Sequence, residues 1–164
     1  TTTMCLIPSI VKSVNIPVVA AGGIATGTTM LAAMSLGADG VQIGSRFAIS
    51  KESSAHDIFK NYVLSARDGD TVLTLKELAP VRMLKNEFFQ KIQSIYNRSG
   101  SKEELVELLG RGRIKKGVFE GDLRDGNLEI GQVSAIINSI NSVEEIINEV
   151  IYDYKKAQEN LFSF

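Results

Sequence analysis

Tryptophan is absent from this chain, and cysteine and histidine occur once each, at Cys5 and His56. A lone cysteine excludes an internal disulfide and a cysteine-rich metal centre. A lone histidine leaves too few ligands for a zinc site, so no metal is expected. An excess of charge of one sign is missing as well. Eighteen Lys and Arg stand against nineteen Asp and Glu, a formal net charge of −1, with no run of like charge. Nucleic acid is therefore not an expected partner. No apolar run reaches the roughly 18 residues that a spanning helix requires, so no membrane is expected either. The cytoplasm is the simplest placement. An initiator methionine and a charged leader are also missing. The opening "TTTM" reads as the approach to a helix, as though cut in a loop, and a fragment is the expectation.

What is present is 164 residues, 44% of them hydrophobic, enough for one sizeable core. Leu6, Ile7, Ile10, Val11 and Val14 have the spacing of a helix face. Asn15 ends that helix, and Ile16-Pro17 forces extended backbone. Val18 to Ala21 is a short unbroken apolar run, the pattern of a parallel strand buried on both faces. Gly22-Gly23 turns the chain, Thr26 or Thr28 can cap a helix through about Leu36, and Gly37 closes it at positive φ. Gly40 to Ile43 is the next strand, then come Gly44-Ser45 and a helical stretch from near Ser53. The result is α/β, with βα-barrel spacing and parallel strands because a helix intervenes.

Two such strands cannot complete a sheet alone. Thr71 to Leu75 is a short alternating candidate, and the pattern after it is helical: Met83 to Tyr96, Glu103 to Leu109 and Gln132 to Ile140. Ser142-Val-Glu-Glu145 is a capping box that opens a last helix, with Ile146, Ile147, Val150, Ile151 and Tyr154 as its apolar stripe. The expected domains are 1–67 for the barrel units, 68–130 for a mixed loop and helical insertion, and 131–164 for helices packed on the barrel.

In a βα barrel, ligands sit at the C-terminal ends of the strands, and the loops after the last two strands often bind phosphate. If these are those strands, Gly22-Gly23 and Gly44-Ser45 occupy the phosphate positions. Glycine suits them because a side chain would keep an anion from the amides. The Ser45 hydroxyl adds a donor, and Arg46 is nearby. The competing reading is plain tight turning, to which the pairing of the two corners is the counter-argument. His56 reads as a packed or capping residue rather than an acid or base, and Cys5 as a core thiol. "RGRIKK" (111–116) lacks interleaved aromatics and reads as solvated surface. Asp68 and Asp70 flank a glycine and read as a turn. "GNLEIGQ" (126–132) is a loop before a helix.

"TTTM", "IPVVAAGGIATG", "LGADGVQIGSRF", "KESSAH", "ARDGDT", "PVRMLKN" and "GQVSAII" fall in an order and spacing that resemble the C-terminal half of a flavin-dependent barrel family. Its members include type II enoyl-acyl carrier protein reductase and nitronate monooxygenase, once called 2-nitropropane dioxygenase. The resemblance covers almost the whole chain. It implies the C-terminal part of a TIM (β/α)8 barrel, its last two βα units, followed by a mainly helical region. It also implies FMN held through its phosphate at Gly22, Gly23, Gly44 and Ser45, with Gln132 near the flavin. The family often carries threonine where Ser45 stands, which keeps the hydroxyl.

By the same resemblance, a reductase would use NAD(P)H to reduce an enoyl thioester on acyl carrier protein, in fatty acid synthesis. A monooxygenase would process a nitronate with oxygen. "TTTM" and the stretch from "KESSAH" to "ARDGDT" lean toward the reductase. Some reductases use a monovalent cation near "GNLEIGQ"; here Glu129 and Ile130 replace the usual small and methionine residues, and the resemblance leaves cation use open. The family's catalytic histidine precedes "TTTM", so no catalytic residue is named here and the chain alone is expected to be inactive. A non-catalytic phosphate-binding half-barrel is the other expectation. Exposed strand edges call for the missing N-terminal half or a second copy, and a homodimer is expected.

Overall fold

The computed structural model describes residues 1–161. Along the chain run α1 (Thr3–Val11), β1 (Val19–Ala21), α2 (Gly27–Ser35), β2 (Gly40–Gln42), α3 (Ser45–Ala48), α4 (Asp57–Leu64), β3 (Thr71–Thr74), β4 (Val81–Leu84), α5 (Glu87–Asn97), α6 (Lys102–Leu109) and α7 (Val143–Leu161). A π-helical turn at Lys115–Phe119 and a 3₁₀ turn at Gln132–Ile136 complete the set. The elements divide into two units, Thr1–Glu52 with Asn141–Phe164 and Ser53–Ile140.

In the first unit, β1 and β2 pair in parallel, with Val19 opposite Gly40 and Ala21 opposite Gln42. Asp39 sets this register twice over: its backbone N–H donates to the Val18 carbonyl at 2.8 Å and its carboxylate accepts from the Val18 N–H at 2.8 Å. Ile7, Ala20, Ile24, Ala33 and Ala38 form the buried core between the strands and α1 and α2. Thr26 caps α2 by accepting from the Thr29 N–H, and Gly37 follows the helix at φ +100°, both as the sequence implies.

Helix α7 lies against α2 at Gly27, where an added Cβ would stand 2.0 Å from the Tyr154 nitrogen. Ser142 opens α7 as expected, accepting from the Glu145 N–H at 3.1 Å while its own N–H donates to the Glu145 carboxylate at 2.6 Å. Within this unit Ile146 and Val150 are buried, whereas Ile147 and Ile151, expected to be part of the packed stripe, are exposed.

Helix α1 runs from Thr3 to Val11, starting and ending before the expected Leu6 to Val14. Cys5 is exposed rather than a core thiol, because only Ile7 of this helix is turned fully inward.

The second unit is where expectation and structure part most. Val81–Leu84 is a strand, antiparallel to Thr71–Thr74 with Thr71 opposite Leu84, so Met83 and Leu84 do not begin a helix. The apolar residues from Met83 to Tyr96 run on at helical spacing, but Asn86 interrupts them. Its side chain accepts from the Phe89 N–H at 3.0 Å and donates to the carbonyls of Leu123 and Gly126 at 2.9 Å each. "GNLEIGQ" adds a further rung to this hairpin, with Glu129 bridged to Met83, so it is more than a loop. The core gathers Leu75, Met83, Phe88, Ile92, Ile95 and Leu105. The expected helix from Gln132 to Ile140 shortens to the single 3₁₀ turn, and the one expected near Ser53 begins at Asp57.

Candidate functional site

Because β1 and β2 are parallel neighbours with Ala21 beside Gln42, the residues after both strands leave the same edge of the sheet. Parallel strands lie about 4.8 Å apart, so the two corners are adjacent. Gly22 and Gly23 have φ of +94° and +76°, which side-chain-bearing residues rarely adopt. Gly44 differs. Its φ is −97°, open to any residue, and a Cβ placed there would meet nothing within 4 Å. Neither the backbone nor the neighbours require glycine at 44; the space above it is left open.

Three side chains hold the first corner. Thr3 Oγ1 donates to the Gly22 carbonyl at 3.2 Å. Thr29 Oγ1 accepts from the Ala25 N–H at 3.1 Å. Arg46 Nη1 donates to the Ala25 carbonyl at 2.9 Å. A cavity of about 160 Å³ lies beside this corner, bounded by Thr3, Ile7, Gly22, Gly23, Thr29 and Leu36. Ser45, the first residue of α3, completes the second corner.

Arg46, next to the second corner, is not turned out toward an anion. It is buried, and its guanidinium also pairs with Glu149 of α7. The sequence gives no sign of this pairing, because the partners are 103 residues apart. Spacing did not single out Thr3 or Thr29, although the threonine-rich opening was a usable signal for Thr3. Gln132 belongs to the second unit and is exposed at the start of the 3₁₀ turn, while Gly22, Gly23, Gly44 and Ser45 share the first.

The remaining candidates resolve as structural. His56 caps α4, its Nδ1 accepting from the Ile58 N–H at 3.1 Å. Asp70 accepts from the Arg67 N–H at 2.7 Å and closes the turn at Gly69. In the basic stretch, Lys115 pairs with Glu120 and Lys116 with Asp122, each at 3.0 Å, and Arg113 lies over the Phe88 ring at 5.0 Å. Asp122 is held down to about 2, chiefly by the Asp125 N–H and then by Lys116.

A second cavity, of about 300 Å³, lies within the second unit between Leu75, Val81, Leu109, Arg113, Asn127 and Glu129. Burial pushes the Glu129 carboxyl up, against the hydrogen bond from Asn127 Nδ2 at 2.8 Å. Among the described residues, no three His, Cys, Asp or Glu side chains gather as a metal site, and no helix is long and apolar enough to cross a membrane.

The arrangement has relatives. A probable nitronate monooxygenase of Staphylococcus saprophyticus is 34% identical over 96% of this chain and 43% of its own length. The structure of FabK from Thermotoga maritima superposes with a TM-score of 0.91 at 40% identity, covering 98% of this chain and 51% of that one. A nitroalkane oxidase from Streptomyces ansochromogenes gives 0.78 at 25% identity, over 97% of this chain and 45% of that one. The chain thus spans about half the length of the relatives it matches. The family model for nitronate monooxygenase matches residues 1–153, and the chain belongs to that family of oxidoreductases.

Proposed function

We propose that this chain forms the phosphate-gripping part of an FMN-dependent, NAD(P)H-using enoyl-acyl carrier protein reductase. The observation that carries the reading is the open space at Gly44, beside a first corner whose glycines turn at positive φ. Amide groups at Gly22, Gly23, Gly44 and Ser45 would converge on one phosphate, each donating a charge-assisted hydrogen bond. An alanine methyl at 44 would occupy the room that the anion needs. Thr3, Thr29 and Arg46 hold the first corner in shape, so no reorganisation is needed on binding. When bound, FMN supplies hydride transfer between the nicotinamide and the enoyl thioester, and the protein's part is to bind and orient it.

The likeness to FabK favours the reductase. The family model and the staphylococcal relatives favour the second reading, a nitronate monooxygenase using FMN and oxygen. The strands β1 and β2 are then the last two of a TIM barrel. Val19 is 59% exposed on that short sheet, and its covering would come from preceding barrel strands or from a second copy in a homodimer. The cytoplasm is the compartment that fits such a reductase. Gln132 is kept in this proposal as a residue near the flavin, on the resemblance alone.

Crotonyl thioester should sustain NAD(P)H oxidation by the purified full-length protein, and a nitronate should not. Turnover with nitronate and oxygen alone would exchange the first reading for the second. Inertness toward both would remove the two together.

A further inference from the structure

We infer that Arg46 is a positioning residue for the phosphate site and that Glu149, from the opposite end of the sequence, is its anchor; this rests on the reading just given. Arg46 directly follows Ser45 of the second corner, and its Nη1 reaches the Ala25 carbonyl just beyond the first. One side chain therefore ties the two corners together. The tie is fixed from behind, because the same guanidinium pairs with Glu149 on α7. Helix α7 is itself seated on α2 at Gly27, where its backbone leaves no room for a methyl. A buried guanidinium held by a carbonyl and a carboxylate has little freedom to swing. The spacing of the corners thus depends on α7, although α7 supplies nothing to the anion.

An opposite role is physically reasonable: the positive charge of Arg46 could attract the phosphate directly, with Glu149 weakening that pull. The two roles differ in sign at Glu149. If charge is what matters, Glu149→Gln frees Arg46 and strengthens FMN binding. If position is what matters, the same change loosens Arg46 and weakens it.

The test is to measure affinities for FMN and riboflavin by flavin fluorescence, for the full protein and its Glu149→Gln, Arg46→Met and Arg46→Lys variants. Riboflavin lacks the phosphate, so the ratio of the two affinities reports the corners alone. The ratio should fall about tenfold or more in Arg46→Met, the scale of one amide–phosphate hydrogen bond lost when the corners drift apart. It should fall less in Glu149→Gln, and Arg46→Lys should restore part of it. The Glu149 side chain is 44% exposed, so that variant folds even if Arg46→Met does not. A higher ratio in Glu149→Gln overturns the assignment, as does an equal loss for both ligands, which marks a merely structural contact. If the unsubstituted protein holds FMN no better than riboflavin, the phosphate reading itself fails, and this assignment falls with it.

Discussion

Three glycines show how differently one residue type is used in the first unit. Gly22 turns the chain at φ +94°, Gly27 admits the backbone of α7, and Gly44 does neither. The same substitution should therefore give distinct results. Gly27→Ala should cost about 3 kcal/mol in urea unfolding, because its Cβ lands on main-chain atoms that cannot yield. Gly44→Ala should leave unfolding within about 0.5 kcal/mol of the parent, having no clash to relieve. It should nevertheless weaken FMN about tenfold or more by equilibrium titration. Unchanged FMN affinity in Gly44→Ala would mean the space above residue 44 is not used. The glycine corners were legible because strand patterns locate them. The pairings of Arg46 were not legible, because its partners are 21 and 103 residues away and spacing along the chain carries no trace of them.

Capping decides where elements begin, and it explains both the success at α7 and the failure at β4. Ser142 and Glu145 form a local box that the sequence displays, and Lys51 adds a pairing at 2.9 Å. The Ser142 N–H, then Lys51, hold the Glu145 carboxyl down from 4.5 to about 2. A depressed carboxylate stabilises the fold above its unfolded value and loses that contribution as pH falls toward the folded one. Thermal melts of the parent and Glu145→Gln should thus differ near neutral pH and converge between 4.5 and about 2. A constant gap across that window would contradict the assignment.

At β4, periodicity alone favoured one long helix, since Met83, Leu84, Phe88, Ile92 and Ile95 all face a core. Asn86 is what divides strand from helix, through bonds to segments about forty residues on. Asn86→Ala removes a cap and leaves two carbonyls without their donor. It should cost about 2 kcal/mol or more, read from the shift in urea midpoint.

At the scale of the molecule, the mixed α/β character and the parallel pairing of β1 with β2 were readable from glycine punctuation and short apolar runs. The antiparallel β3–β4 pair was not, because its second strand borrows the apolar pattern of the following helix. Membership in the family rests on nearly the whole chain, while that chain answers to about half of its relatives' length. The central claim is that two adjacent backbone corners share one phosphate. Amide chemical shifts of the ¹⁵N-labelled protein, followed during titration with FMN and separately with riboflavin, test it most directly. FMN should move the Gly22, Gly23, Gly44 and Ser45 signals downfield together, and riboflavin should leave them in place. Shifts that spare these four amides, or that riboflavin reproduces, would contradict it.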